Sequence, residues 1–132
     1  MLKRKITYKD FNGIERSENF YFNLTETELM EMEMSEVGGF KERVQRVIDA
    51  KDSATIIEIF KDFILKSYGE KSPDGKYFDK SPEISRRFAN TNAYSVLFME
   101  LAMNADKASE FIKGIVPEAV AAKVDATDLK NE

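Results

Sequence analysis

The sequence predicts a mainly α-helical fold with a minor β part: six to seven helices packed around a central helix, with an N-terminal β-hairpin. The central helix is predicted over residues 54–68, ATIIEIFKDFILKSY, because large apolar residues recur there at intervals of three and four. Further stretches repeat this spacing, and several begin with a capping residue. Alternation typical of strands occurs in the first 22 residues.

The predicted hairpin spans residues 3–22 and turns at the sequence DFNG, residues 10–13. A two-residue turn would place Lys9 opposite Arg16, an unfavourable like-charge pair. A three-residue loop with a bulge at Gly13 instead places Lys9 opposite Glu15. We therefore expect the second register.

The next stretch, LTETEL at residues 24–29, contains a complete helix start. Thr25 and Glu28 can cap each other's backbone amides, and Leu24 can pack against Leu29. The helix is predicted to end near residue 35 or 37. Its methionines alternate with glutamates, so at helical spacing they spread over more than half of the circumference.

Some of these methionines must therefore face something other than the helix's own core. Since methionine adapts to irregular partners, the sequence suggests a protein-binding surface. Its candidate residues are Met30, Met32 and Met34, with the hairpin aromatics Phe20, Tyr21 and Phe22 beside them. Two alternatives stay open: methionines that fill gaps in the core, and a copper(I) site that lacks support from Cys or His.

The remaining chain predicts a basic amphipathic helix over 40–50 and, at SPDG (72–75), a turn in a short hairpin or tight loop. Four further helices are predicted over residues 82–90, 93–103, about 105–116 and 118–124. We expect one domain over residues 1–124, with the hairpin at 3–22 and the helical part at 24–124. The tail, 125–132, lacks apolar periodicity and is predicted to be flexible.

The amino-acid composition argues against several classes of protein. The 132 residues include no His and no Cys, which removes the commonest general base and the usual metal ligands. A net charge of −4 disfavours a nucleic-acid binder. Glu58 and Asp62 lie four apart, as paired catalytic acids could, but nearby lysines favour a solvated helix face. We expect no enzyme, no cofactor, no metal, and a soluble protein without a cleaved signal or membrane span.

Three segments together carry a family resemblance: ENFYFNLTETELMEME, then IIEIFKDFILKSYGEKSPDGKYFDKS, then TNAYSVLFMELAMNADKASEFIKGIVP. In this order and spacing they resemble the tail assembly chaperones of long-tailed, siphovirus-type bacteriophages of Gram-positive bacteria. The resemblance covers residues 3 to about 117. It includes no residue-level binding motif.

The resemblance implies a non-enzymatic chaperone that binds the tape measure protein, keeps it soluble and promotes tail-tube assembly. The implied partners are the tape measure protein, copies of the chain itself, a longer form made by ribosomal frameshifting, and the tail-tube protein. The implied location is the host cell cytoplasm, and the chaperone is absent from the mature virion. The alternative is a small phage or prophage adaptor that binds a host factor.

Overall fold

A computed structural model describes residues 1–35 and 53–117. Four strands form one antiparallel sheet in the order β1-β2-β3-β4. The strands are β1 (Leu2–Lys9), β2 (Glu15–Phe22), β3 (Tyr68–Lys71) and β4 (Phe78–Asp79). The described helices are α1 (Glu26–Ser35), α2 (Ser53–Ser67), α3 (Pro82–Ala89), α4 (Asn92–Ala102) and α5 (Ala105–Ile115).

The β1–β2 hairpin has the predicted register, with Lys9 opposite Glu15. The Gly13 amide donates to the Asp10 carbonyl over 2.9 Å, and Gly13 has a φ of 79°. Glycine adopts this left-handed conformation without the steric cost that a Cβ would add. The predicted three-residue loop is therefore confirmed.

The predicted mainly helical fold, with six to seven helices around a central helix, is wrong. The described residues form five helices and a four-stranded antiparallel sheet. Strand β3 follows α2 directly and pairs with the end of β2, so that Phe22 lies opposite Tyr68. The SPDG turn then joins β3 to β4, and one continuous sheet results. Three predicted segments lie outside the described residues: the helices over 40–50 and 118–124 and the flexible tail over 125–132. The single domain over residues 1–124 stays a prediction.

The core lies between the inner face of the sheet and the helices, rather than around α2 alone. Fully buried side chains come from β2, α2, α4 and α5, among them Phe22, Phe63, Leu97, Leu101, Phe111 and Ile115. Within α2, Ile59 is buried whereas Ile57, another large apolar residue of the predicted central helix, is 47% exposed. The aromatic rings of the sheet and of α3 add directional packing, since Tyr68 stacks on Phe88 with centroids 4.1 Å apart.

Candidate protein-binding surfaces

Helix α1 begins with the predicted reciprocal cap. The Glu28 amide donates to Thr25 Oγ1 over 3.1 Å, and the Thr25 amide donates to Glu28 Oε1 over 2.9 Å. Leu24 and Leu29, the predicted hydrophobic staple, are both buried in the core. The cap and the buried leucines fix the rotation of α1 about its axis, and this rotation decides which methionines reach solvent.

The three methionines of α1 separate into two groups. Met30 and Met34, four residues apart, are 65% and 83% exposed, whereas Met32 is only 6% exposed. Met32 lies three residues after Leu29 and so shares its buried side of the helix. The structure therefore supports two of the three candidate methionines as surface residues and places the third in the core.

The three hairpin aromatics also separate, because successive side chains of a strand point to opposite faces of the sheet. Phe22 is fully buried, and Phe20 is half-buried with its ring centroid 5.4 Å from that of Phe88. Tyr21 lies on the outer face, opposite Lys3 and Gly69. Phe22 is thus a core residue, and the six candidate residues do not form one continuous surface.

A second exposed methionine surface lies on α4, where sequence analysis did not place one. Val96, Met99 and Met103, the last being the C-terminal cap of α4, are 41%, 51% and 79% exposed. We call these three residues the α4 stripe. The opposite side of this helix, which includes Leu97 and Leu101, faces the core. The spacing of Val96, Met99 and Met103 at i, i+3 and i+7 was the signal that could have revealed the stripe.

One flank of the α4 stripe carries an ion-pair network. Glu100 Oε1 accepts a hydrogen bond from Arg4 on β1 over 2.6 Å and lies 3.1 Å from Lys107 Nζ on α5. Partial burial raises the pKa of the Glu100 carboxyl, but the hydrogen bonds from Lys107 and Arg4 outweigh it and hold that pKa below its usual range. The flank is therefore charged and holds α4, β1 and α5 together.

A similar network joins the start of α1 to the rest of the fold. Lys80 Nζ donates over 2.6 Å both to Glu28 Oε2 and to the Asn23 carbonyl oxygen. Burial raises the pKa of the Glu28 carboxyl, but hydrogen bonds from Lys80 and Thr25 lower that pKa by more. The net shift of the Glu28 pKa is therefore downward. Because the Lys80 ammonium ties the cap of α1 to the end of β2, Met30 and Met34 project from a fixed helix start.

The described part of the chain offers no cluster of three His, Cys, Asp or Glu side chains that could hold a metal ion. Among the described helices, none combines the length and the apolar character needed to cross a membrane. The acidic pair considered above does not converge on a site: Glu58 is exposed, and Asp62 lies 3.4 Å from Lys66 Nζ. What the described surface offers is exposed apolar side chains.

Exposed methionines on two helices, beside fixed ion-pair networks, are typical of a protein that contacts other proteins. A family model described as phage tail assembly chaperone matches residues 1–132. The chain therefore belongs to the phage tail assembly chaperone family. No curated protein and no solved structure matches the chain significantly.

Proposed function

We propose that this chain binds the tape measure protein of a long-tailed phage of Gram-positive bacteria, keeps it soluble and promotes tail-tube assembly around it. The observation that carries the proposal is the family match across residues 1–132. In this role the chain works without a catalytic step, in the host cell cytoplasm, and leaves before the virion is complete. Copies of the chain, a longer frameshifted form and the tail-tube protein are its further partners.

The surface chemistry of the described residues supports this proposal. A tape measure protein is long and helical, so it presents amphipathic surface that aggregates unless it is covered. Flexible thioether side chains suit such a partner because they repack against differing apolar surfaces. Met30 and Met99, on different helices, are both more than half exposed.

The test is co-expression of the full chain with the tape measure protein encoded in the same genome. We expect the tape measure protein to move into the soluble fraction and to co-purify with the chain. The matched control is expression of the tape measure protein alone. If it stays insoluble with the chain and also with the longer frameshifted form, the proposal is wrong and an adaptor for a globular partner becomes the better explanation.

A further inference from the structure

Helix α4 differs from the other described helices in the chemistry of its solvent side. The exposed positions of α1, α2, α3 and α5 each include at least two charged residues. The exposed positions of α4 are Ser95, Val96, Met99 and Ala102, followed by Met103 at the cap, and none of them carries a charge. The only charged residue of α4 is Glu100, which Arg4 and Lys107 already engage on the flank.

A row of apolar side chains on a helix surface is normally covered by another apolar surface. The core covers one side of α4 through Ala93, Leu97 and Leu101, which are at most 1% exposed. The other side, the α4 stripe, faces solvent. Its spacing of i, i+3 and i+7 forms a ridge of the kind that packs into the groove of a second helix.

We propose that the α4 stripe is the docking site for amphipathic helices of the tape measure protein. This inference rests on the proposed function and names the surface that performs it. The apolar face of the partner helix lies along Val96, Met99 and Met103, and the thioether side chains of the two methionines adjust to its differing residues.

The size of the stripe favours a helical partner over a second copy of the chain. At exposures of 41%, 51% and 79%, the three side chains offer on the order of 300 Å² of apolar surface. A stable protein–protein interface buries about 800 Å² on each partner. A dimer built on the stripe alone would therefore be too weak. Copies of the chain that associate with one another, as proposed above, can instead hold one long helical partner through several stripes, so that each single contact can be weak.

Charge on the flank indicates which helices fit best. Arg4 and Lys107 bring two positive charges to the one negative charge of Glu100, and the Lys107 side chain is 49% exposed. A partner helix with a carboxylate beside its apolar face can pair with Lys107 without breaking the Arg4–Glu100 bond. We therefore expect binding to weaken as salt is raised, because the contact is solvent-exposed.

The first test compares the full chain with the double variant Met99→Glu/Met103→Glu. Carboxylates on the stripe should weaken binding to a soluble tape measure fragment by roughly 30-fold or more, the loss typical of a hot-spot residue. The matched control is Tyr77→Glu, which places a carboxylate at a 70% exposed aromatic residue in the β3–β4 turn. Thermal unfolding by circular dichroism should show all three proteins folded, and Tyr77→Glu should bind like the unaltered chain.

The result also separates this inference from the proposed function. If the unaltered chain solubilises the tape measure protein and the double variant does so equally well, the stripe is not the docking site but the chaperone function stands. If the unaltered chain binds no part of the tape measure protein, the proposed function fails, and this inference fails with it. Loss of binding with Met30→Glu/Met34→Glu but not with the α4 variant would move the site to α1 and overturn the inference.

A second measurement adds no charge to the stripe and leaves Val96 and Met103 unchanged. Because the chain contains no cysteine, Met99→Cys introduces a single attachment point for a spin label, and Tyr77→Cys is its control. Adding the tape measure fragment should immobilise the label at position 99 but not at 77. A label at 99 that stays mobile in the complex contradicts the proposal. A label at 99 that is already immobile in the free chain also contradicts the proposal if light scattering shows that the free chain is a dimer and Met103→Glu makes it monomeric. The stripe would then be a dimer interface.

Discussion

Phe22 and Tyr21 are neighbours in β2, and exchanging each for alanine tests whether the structure assigns them to the right faces. Phe22 is fully buried, and its ring centroid lies 5.3 Å from that of Phe111 and 5.8 Å from that of Phe88. Removing a buried phenylalanine costs about 3–5 kcal/mol in transfer and cavity terms. We take about 4 kcal/mol for Phe22→Ala, because two edge-to-face ring contacts are lost as well.

Tyr21 gives the matched control, since it lies on the opposite face. Its replacement loses a contact with Lys71, whose Nζ is 5.7 Å from the ring centroid, and some strand propensity, about 1 kcal/mol in total. Urea unfolding followed by circular dichroism should give these two values, and the melting temperature of Phe22→Ala should fall by roughly 15 °C. Equal losses of unfolding free energy for the two variants would refute the assignment of faces.

Three further predictions follow from local geometry. Gly69→Ala should destabilise the chain by about 1–3 kcal/mol, because the new Cβ would lie 2.8 Å from the Phe78 ring. Gly114→Ala is the control: its Cβ would meet only a leucine side chain, and the gain in helix propensity should leave the stability nearly unchanged. Urea unfolding of both variants checks this. Thr25→Ala removes the cap of α1 and should cost about 1 kcal/mol, whereas Thr25→Ser should restore most of it in the same assay. The pKa of Glu100 is lowered in the folded chain, so the ionised carboxylate stabilises the fold above the ordinary glutamate pKa of about 4.3. This stabilisation is lost as the pH falls through the pKa of the folded chain. The free energy of unfolding of Glu100→Gln should therefore depend less steeply on pH in acid, and an unchanged pH dependence below about pH 4 would contradict the ion-pair network.

Features encoded within a few residues could be predicted from the sequence. The hairpin register followed from the charges of Lys9, Glu15 and Arg16 and from the need for a glycine at position 13. Helix starts are local in the same way, since the hydroxyls of Ser81 and Thr91 accept hydrogen bonds from the backbone amides three residues further on. These contacts span no more than about six residues, so local chemistry alone decides them.

The sheet could not be predicted in full, because its second half depends on pairing distant in sequence. Strands β3 and β4 have four and two residues, too few to show alternation. The turn between them was recognisable, and a short hairpin was one of its two predicted forms. What local patterns did not contain is the pairing of Tyr68 with Phe22, across 46 positions of sequence, which depends on how α2 packs.

The structure divides the residues of the candidate surface between core and solvent, and this division has a common physical origin. A strand alternates its side chains, so Phe20, Tyr21 and Phe22 cannot all face one partner. A helix advances 100° per residue, so Met32 and the pair Met30 and Met34 cannot share a face. Applying these periods to the α1 methionines, with Leu29 as the buried reference, would have separated surface from core.

The placement of Phe22 and Met32 in the core changes how binding experiments on this chain must be interpreted. A variant of either residue that loses a partner reports first on folding, since both side chains are at most 6% exposed. Variants of Met99 and Met103 do not have this ambiguity, because the core side of α4 is formed by other residues. If a variant of the α4 stripe binds more weakly but has an unchanged free energy of unfolding, the altered residue contacts the partner. If binding by Phe22 and Met32 variants instead falls in proportion to their free energy of unfolding, the defect reports only the loss of folded chaperone.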